Sequence, residues 1–450
     1  WDEALFDPYD EIDMAQKIEH ALRDSAFREQ LKRHGLIQAA SFSWDNSAGK
    51  LLDLFDSVGG ASKRSKAVSS SLYVREPVRA AIEGIAADPV AVQLKPQEMM
   101  AVAASLAETY PPECNRPRTL FLDVSAMIIN GDHTGIQRVV RAICYELMHR
   151  DQGIDVEPVY TNTEDHEFYR AGSLIDHILG RSIHTTAHAH IQFFPGDILL
   201  YLDLHPGVAI SHVAKTRYLR NKGITVYHVV YDLLPVLFPQ YFWPELCEEF
   251  AAWLKAVSNA DGALCISRSV ALELQKWMHT NVPERRRAFK IGWFHLGADI
   301  ENSIPSAGMP AEGIKTIKKL KSGSSFIVVG TIEPRKGQVQ ILDAFEELWG
   351  SGMDINLVMV GKKGWGMQTF AERILTHDQG GKRLYWLEKS SDEYLEKIYA
   401  SCICLIAASE GEGFGLPLIE AARHKIPIIA RDIPVFREVA GDHAYYFNGS

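Results

Sequence analysis

Two glutamates, Glu412 and Glu420, bracket the run Glu412-Gly413-Phe414-Gly415-Leu416-Pro417-Leu418-Ile419-Glu420. The run follows a short apolar segment at 402–408 that reads as a buried strand, and it opens a helix with Pro417 at a first-turn position. A glycine-rich turn lets backbone N–H groups approach an anion, and the helix dipole adds positive potential there. Glu420 lies about one helical turn inside, a spacing that puts both carboxylates towards the same ligand. Two acids flanking a phosphate site suit hydroxyl-rich groups on either side of it, as ribose hydroxyls are gripped in dinucleotide folds. The plainer reading is a charged strand-to-helix turn whose glutamates only oppose the dipole.

Such a turn needs a parallel sheet behind it, and the chain supplies two. From residue 119, strand-length β-rich runs (TLFLDVSAM, GIDVEPVY, DILLYLDL, ITVYHVVYDL, GALCIS) alternate with helical stretches at 137–150, 210–221 and 244–258. A second series starts near Ser324: SFIVVGTI, INLVMVG, RLYWLE, CICLIAAS, IPIIAR and AYYFN, with helices at 337–349, 369–376, 392–400 and 416–423. The expected class is α/β, two doubly wound Rossmann-like domains facing across a cleft, plus an N-terminal helical segment. The expected divisions are 1–56 helical, 57–116 linker with short helices, 117–320 first domain and 321–450 second domain, with 297–323 as hinge. Within the first of these, helices are expected at 10–33 and 44–55, and two short ones at 76–110.

Composition narrows the function classes. The 450 residues carry 47 Lys+Arg against 57 Asp+Glu, a net charge of -10, which excludes a generic nucleic-acid binder. No run of about 18 apolar residues occurs, so no membrane-spanning helix is expected. No C-x-x-C pairing occurs among the 6 cysteines, which points to a reducing compartment, hence the cytoplasm. His184, His188 and His190 are the only metal-like cluster, but no Cys or acid accompanies them and Thr185-Thr186 disfavours a helix. No metal is expected. The absence of a Walker A run, or of G-x-G-x-x-G after a strand, argues against a P-loop enzyme or a dehydrogenase.

The 412–420 segment resembles the E-x7-E signature of retaining GT-B glycosyltransferases, the family called glycosyltransferase family 4 or glycosyl transferases group 1. VGTIEPRKG at 329–337 resembles that family's basic phosphate motif, and the likeness runs through 390–430 almost without gaps. The resemblance implies that Lys336 and Arg335 hold the donor diphosphate and stabilise it as leaving group. The family often has Arg after the glycine of that strand. Here Thr331 follows Gly330, and Arg335 would compensate. Glu420 would bind ribose hydroxyls, Glu412 the hydroxyls of the transferred sugar, and the backbone of Gly413, Phe414, Gly415 and Leu416 the phosphates. The loop 387–391 would meet the base.

In the first domain, Gly131-Asp132-His133-Thr134-Gly135-Ile136-Gln137-Arg138 resembles the family's glycine loop, with Thr134, Gly135 and Arg138 near the acceptor and donor phosphate. Simple helix capping is the competing reading. Two strand ends compete for the catalytic position opposite Glu412. Asp203 and His205 are favoured; Asp232, beside Tyr231 where many relatives have His, is the backup. Ser267-Arg268 is a further family-like cleft position.

EPRKG and the Val360-Gly361…Gly364-Trp365 stretch look most like bacterial mannosyltransferases that build polysaccharide such as O-antigen. The donor expected from this is GDP-mannose, with no separate cofactor, and the acceptor a glycan or lipid-linked glycan. The alternatives are a UDP-sugar transferase or an inactive glycan-binding or scaffold module. Location at the inner face of the cell membrane is compatible with this reading. Finally, residues 4–56 resemble the tail that usually ends the family's second domain, while the chain stops at Ser450 before any such tail. A tandem arrangement with a neighbouring glycosyltransferase module is expected, or else a circular permutation. On either view Leu51, Leu52 and Phe55 should dock on the second domain.

Overall fold

The computed structural model describes residues 36–58, 117–130, 135–150, 153–161, 165–178, 190–283, 288–297 and 306–448, with isolated positions at 26, 29, 33, 95 and 98. The linker after residue 58, the helices of 76–110, most of the helix expected at 10–33, Thr134, His184 and His188 lie outside the described residues.

Two sheets are present. The first holds β1 (Thr119–Asp123), β2 (Asp155–Thr161), β3 (Phe168–Arg170), β4 (Ile198–Tyr201), β5 (Thr225–Val230), β6 (Gly262–Cys265) and β7 (Lys290–Trp293) in the order β3-β2-β1-β4-β5-β6-β7. All its pairings are parallel except β2 with β3. The second holds β8 (Ser324–Val329), β9 (Ile355–Val360), β10 (Leu384–Leu387), β11 (Cys404–Ala407), β12 (Ile428–Arg431) and β13 (Tyr445–Phe447) in the order β10-β9-β8-β11-β12-β13. The central strands read as unbroken apolar runs because helices cover both faces: every residue of β1 and of β9 is buried. Two doubly wound domains are therefore the architecture, as the alternation of patterns requires.

The strand order reverses between β1 and β4 in the first sheet and between β8 and β11 in the second. Ligands of open parallel sheets bind outside the carboxyl ends of the strands at such a reversal. The segments there are 124–130, with the helix Ser125–Asn130, and 202–206 on one side, and 330–337 and 408–416 on the other. These are the segments that hold most of the chemistry-bearing residues.

Three local expectations change. The helix read at 210–221 is two helices, Pro206–Ser211 and Val213–Asn221, joined at His212. That imidazole is buried and bonded through Nε2 to Thr161 Oγ1 at 3.1 Å and through Nδ1 to Tyr201 Oη at 3.2 Å, which fixes the break. The stretch read as a hinge contains a helix, Gly313–Ser322, packed on β8 and on the helix Asp392–Tyr399, so it travels with the second sheet.

The third change concerns the tail-like segment. The helix Trp44–Val58 packs on the first domain, against the helix Gly135–His149 and the edge strand β7. Phe55 meets Tyr227 of β5 at 5.6 Å, and Leu54 lies so close to Gly292 that a Cβ there would come within 2.9 Å of it. The residues just before this helix meet the second domain instead. Gln38 Nε2 donates to the Val439 carbonyl at 3.1 Å, and Phe42 stands edge-on to Phe414 at 5.8 Å. Leu51, Leu52 and Phe55 thus belong to a helix that covers the first domain's edge, not the second sheet. Its apolar stripe found the exposed face of β7. Among the described residues no helix is long and apolar enough to cross a membrane.

Candidate active site

Glu412 follows β11 and faces the loop after β8. Its Oε1 pairs with Lys336 Nζ, accepts from Ser409 Oγ at 2.7 Å, and lies 3.5 Å from Arg335 Nη1. Arg335 reaches back to Glu333 Oε2 at 3.0 Å and donates to the Gly411 carbonyl at 2.8 Å. Burial pushes the Glu412 carboxyl up, but the two cations outweigh it and hold the group down at about 2. Glu333 is pushed up by its burial, with Arg335 opposing. The cluster is therefore two cations shared by two acids, one ionised over the whole neutral range.

Glycine makes this closeness possible. Lys336 lies over Gly330, whose φ is +139° and whose missing Cβ would stand 3.5 Å from Nζ. Gly413 is tighter still: a Cβ there would fall 2.0 Å from the carbonyl oxygen of Tyr231. Its own carbonyl accepts from Ser267 Oγ at 2.8 Å, so the E-x7-E turn is clamped by two strand ends of the first domain. Gly415, at φ +94°, precedes the helix Leu416–Arg423. Phe414 is buried against Phe42 and His295, at 5.8 Å from each ring, so only its backbone can face a ligand. Thr331 is tied through its carbonyl to Gln338 Nε2 at 3.0 Å.

Glu420 is 3% exposed, and both of its oxygens are engaged. Oε1 pairs with Arg138 Nη2 from the first domain, and Oε2 accepts from Tyr399 Oη at 2.8 Å. Arg138 Nη1 stands 3.5 Å from Asp392 Oδ1. Burial lowers the Arg138 guanidinium, but Glu420 and Asp392 raise it further than that. Sequence reading placed Arg138 beside phosphate and missed Tyr399 altogether. Both residues meet Glu420 because the helices Gly135–His149 and Asp392–Tyr399 converge on it, and only Tyr399's place on an apolar helical face hinted at burial.

The first-domain candidates divide. Asp203 accepts from Met127 N at 2.6 Å and from Leu204 N at 2.9 Å, and its burial raises its carboxyl. His205 Nδ1 accepts from Val208 N at 3.2 Å, capping the helix Pro206–Ser211, and burial lowers it. Both favoured residues are thus engaged with backbone, Asp203 with that of Met127 after β1 and His205 with its own helix. Asp232, the backup, faces the cluster: its raised carboxyl, due first to burial, feels Arg335, Glu412 and Lys336. The Tyr231 ring turns into the core and donates to the Leu202 carbonyl at 2.7 Å. Ser267 caps the helix Arg268–Asn281, and the Arg268 backbone N–H donates to Glu438 at 2.6 Å. The Arg268 side chain lines a groove of ≈ 500 Å³ with Leu272 and Trp293, not the Glu412 cavity. Gly135 opens its helix, as expected. His190 packs on Tyr169 at 4.5 Å.

Sequence reading also missed Asp123 at the end of β1. It is wholly buried, accepts from Ser125 N at 3.2 Å and from Ser125 Oγ, and burial pushes its carboxyl up to about 7. A folded value above the unfolded 3.8 means that its stabilising share is complete below about pH 3.8 and is lost as pH rises through 7. Asp123→Asn keeps the acceptor and removes the charge. Its melting point should approach the parent's near pH 3.5 and exceed it at pH 8, by a free energy on the order of 4 kcal/mol. Equal melting at pH 8 would show that Asp123 is not desolvated.

Residues 314–450 match the family described as Glycosyl transferases group 1. The chain is 37% identical over 463 aligned positions to the serotype-specific mannosyltransferase WbdA of Escherichia coli, covering 100% of this chain and 54% of that protein. It is 25% identical over 230 positions to the O-antigen chain mannosyltransferase RfbU of Salmonella typhimurium, covering 51% of this chain and 57% of that one. The chain thus spans about half the length of these curated relatives. Among solved structures, Anabaena Alr3699/HepE in complex with UDP aligns at a TM-score of 0.46 and 15% identity, over 74% of this chain and 85% of that one. Residues 314–450, which carry Lys336, Glu412 and Glu420, form a domain of the glycosyl transferases group 1 family.

Proposed function

We propose that the chain is a retaining glycosyltransferase that moves a mannosyl group from GDP-mannose to a glycan hydroxyl, without a metal or separate cofactor, on the cytoplasmic side of bacterial polysaccharide synthesis. The observation that carries this is the Lys336–Glu412 pair at the strand reversal of the second sheet, with Arg335 beside it. Lys336 and Arg335 take the charge that develops on the leaving diphosphate, as preorganised cations do in a dry site. Glu412 orients the sugar hydroxyls, and Glu420 takes the ribose in exchange for its bond to Arg138. The anomeric carbon–oxygen bond to phosphate breaks, the acceptor oxygen bonds to that carbon, and the acceptor proton passes to the leaving phosphate oxygen. Asp203 and His205 are engaged with backbone, and Asp232, which faces the cations, is the first-domain alternative to the phosphate for that proton. The mannosyl choice draws on the WbdA and RfbU likeness.

A donor screen tests the reading. GDP-mannose and UDP-hexoses are offered with a short mannoside acceptor, and the product anomer is read by proton NMR. Transfer from GDP-mannose with an α-linked product is expected. A β-linked product would end the retaining assignment, a UDP-sugar preference the donor assignment, and no donor bound at all would favour a scaffold.

A further inference from the structure

The segment 238–243, Phe238-Pro239-Gln240-Tyr241-Phe242-Trp243, follows Asp232 and joins the two domains through aromatic side chains. Phe238 lies against Gly411, where a Cβ would come within 2.7 Å of the ring. Tyr241 Oη donates to Glu410 Oε2 at 2.6 Å, and Trp365 Nε1 donates to the Tyr241 carbonyl at 2.7 Å. Phe242 packs on Trp365 with ring centroids 5.4 Å apart. Residues 410 and 411 immediately precede Glu412, so the segment is anchored beside the reacting cluster.

At the end of this rigid run, Trp243 caps the helix Pro244–Val257 and is 63% exposed, with Leu237 also exposed at 39%. That helix leads from the carboxyl end of β5 back to the start of β6, so its first residue stands at the cleft edge of the sheet, where ligands bind. An indole left exposed at such an edge offers a flat apolar face on which a ligand can stack. The surroundings select the occupant. Glu245, Glu248 and Glu249 are exposed on the same helix, and Glu410 is bonded to the segment. This acidic rim repels an anionic membrane surface. A neutral sugar ring suits it: one C–H face stacks on an indole, and the hydroxyls donate to carboxylates.

We infer that Trp243, next in the chain to the Phe242 that packs on Trp365, is a subsite for sugar units of a neutral acceptor glycan, away from the hydroxyl that reacts. The inference rests on the glycan acceptor named above, yet it can be tested without turnover. Mannobiose, mannotriose and mannotetraose are titrated into the protein by calorimetry with no donor present. Affinity should rise with length in the parent. Trp243→Ala should weaken mannotetraose about tenfold, and Trp243→Phe should stay within about threefold. Trp293→Ala removes an exposed tryptophan from the edge strand β7 and should leave binding unchanged. Unaltered affinity in Trp243→Ala, no binding in the parent, or a Trp243-dependent affinity for anionic vesicles instead of sugar would each overturn the subsite. If sugar binds through Trp243 while no nucleotide donor is consumed, the subsite stands and the transferase reading fails.

Discussion

Glu412→Ala should lower kcat by about 10²–10³-fold while donor affinity holds or tightens. The carboxylate pairs with Lys336, accepts from Ser409 and lies near Arg335, and the two cations hold it ionised down to about pH 2. Removing it frees both cations for the donor diphosphate, so ground-state binding has no reason to weaken. The reacting sugar, by contrast, loses the group that orients it, and misplacement at the reacting centre is a kcat effect. Isothermal titration of donor and single-turnover kinetics separate the two. Weaker donor binding with unchanged single-turnover rate would mean that Glu412 serves the diphosphate site and not the sugar. Because Glu412 is ionised well below neutrality, its own titration should leave activity flat between pH 6 and 8.

Arg138→Ala should have the largest effect on the closed arrangement of the two domains. Arg138 joins the first domain to Glu420 and Asp392 of the second, with side-chain exposures of 13% for Arg138 and 2% for Glu420. Losing one partner of a buried pair strands the other charge, at roughly 3 kcal/mol or more. Tyr399 alone would then hold Glu420. Thermal unfolding should shift downward by several degrees, and small-angle scattering should show a larger radius of gyration as the domains part. The cavity beside Lys336 and Glu412 is ≈ 20 Å³, far below the roughly 300 Å³ of a small-molecule site, and only second-domain residues line it. Arg138→Lys restores charge but not the fork, and should recover part of the loss. An unchanged melting point together with unchanged scattering would show that the pair contributes nothing to closure.

Most of the frame is legible in the residues because it is encoded locally. Apolar runs such as INLVMV announce buried parallel strands, and Gly415 with Pro417 marks the start of the helix that carries Glu420. That Lys336 and Glu412, 76 positions apart, serve one site came from family likeness, and their ion pair from the structure. Its physical basis is that β8 and β11 are neighbours although two strands intervene in sequence. Where roles depend on who arrives from elsewhere, the chain alone does not rank the candidates. Asp203, His205 and Asp232 all accept from backbone N–H groups, and nothing in their own segments says that only Asp232 will face Arg335 and Lys336.

The sequence by itself determined two parallel sheets, the glycine turns at their edges, and a basic and acidic set after β8 and β11. Period and turn chemistry are properties of neighbouring residues. Tertiary structure decided that Arg138 and Tyr399 share Glu420, that Tyr231 turns inward while Asp232 faces the cations, and that the helix Trp44–Val58 covers β7. Each of these depends on the order in which strands are laid side by side and on which faces are left to be covered. That order is set by the summed packing of distant segments, not by any one of them.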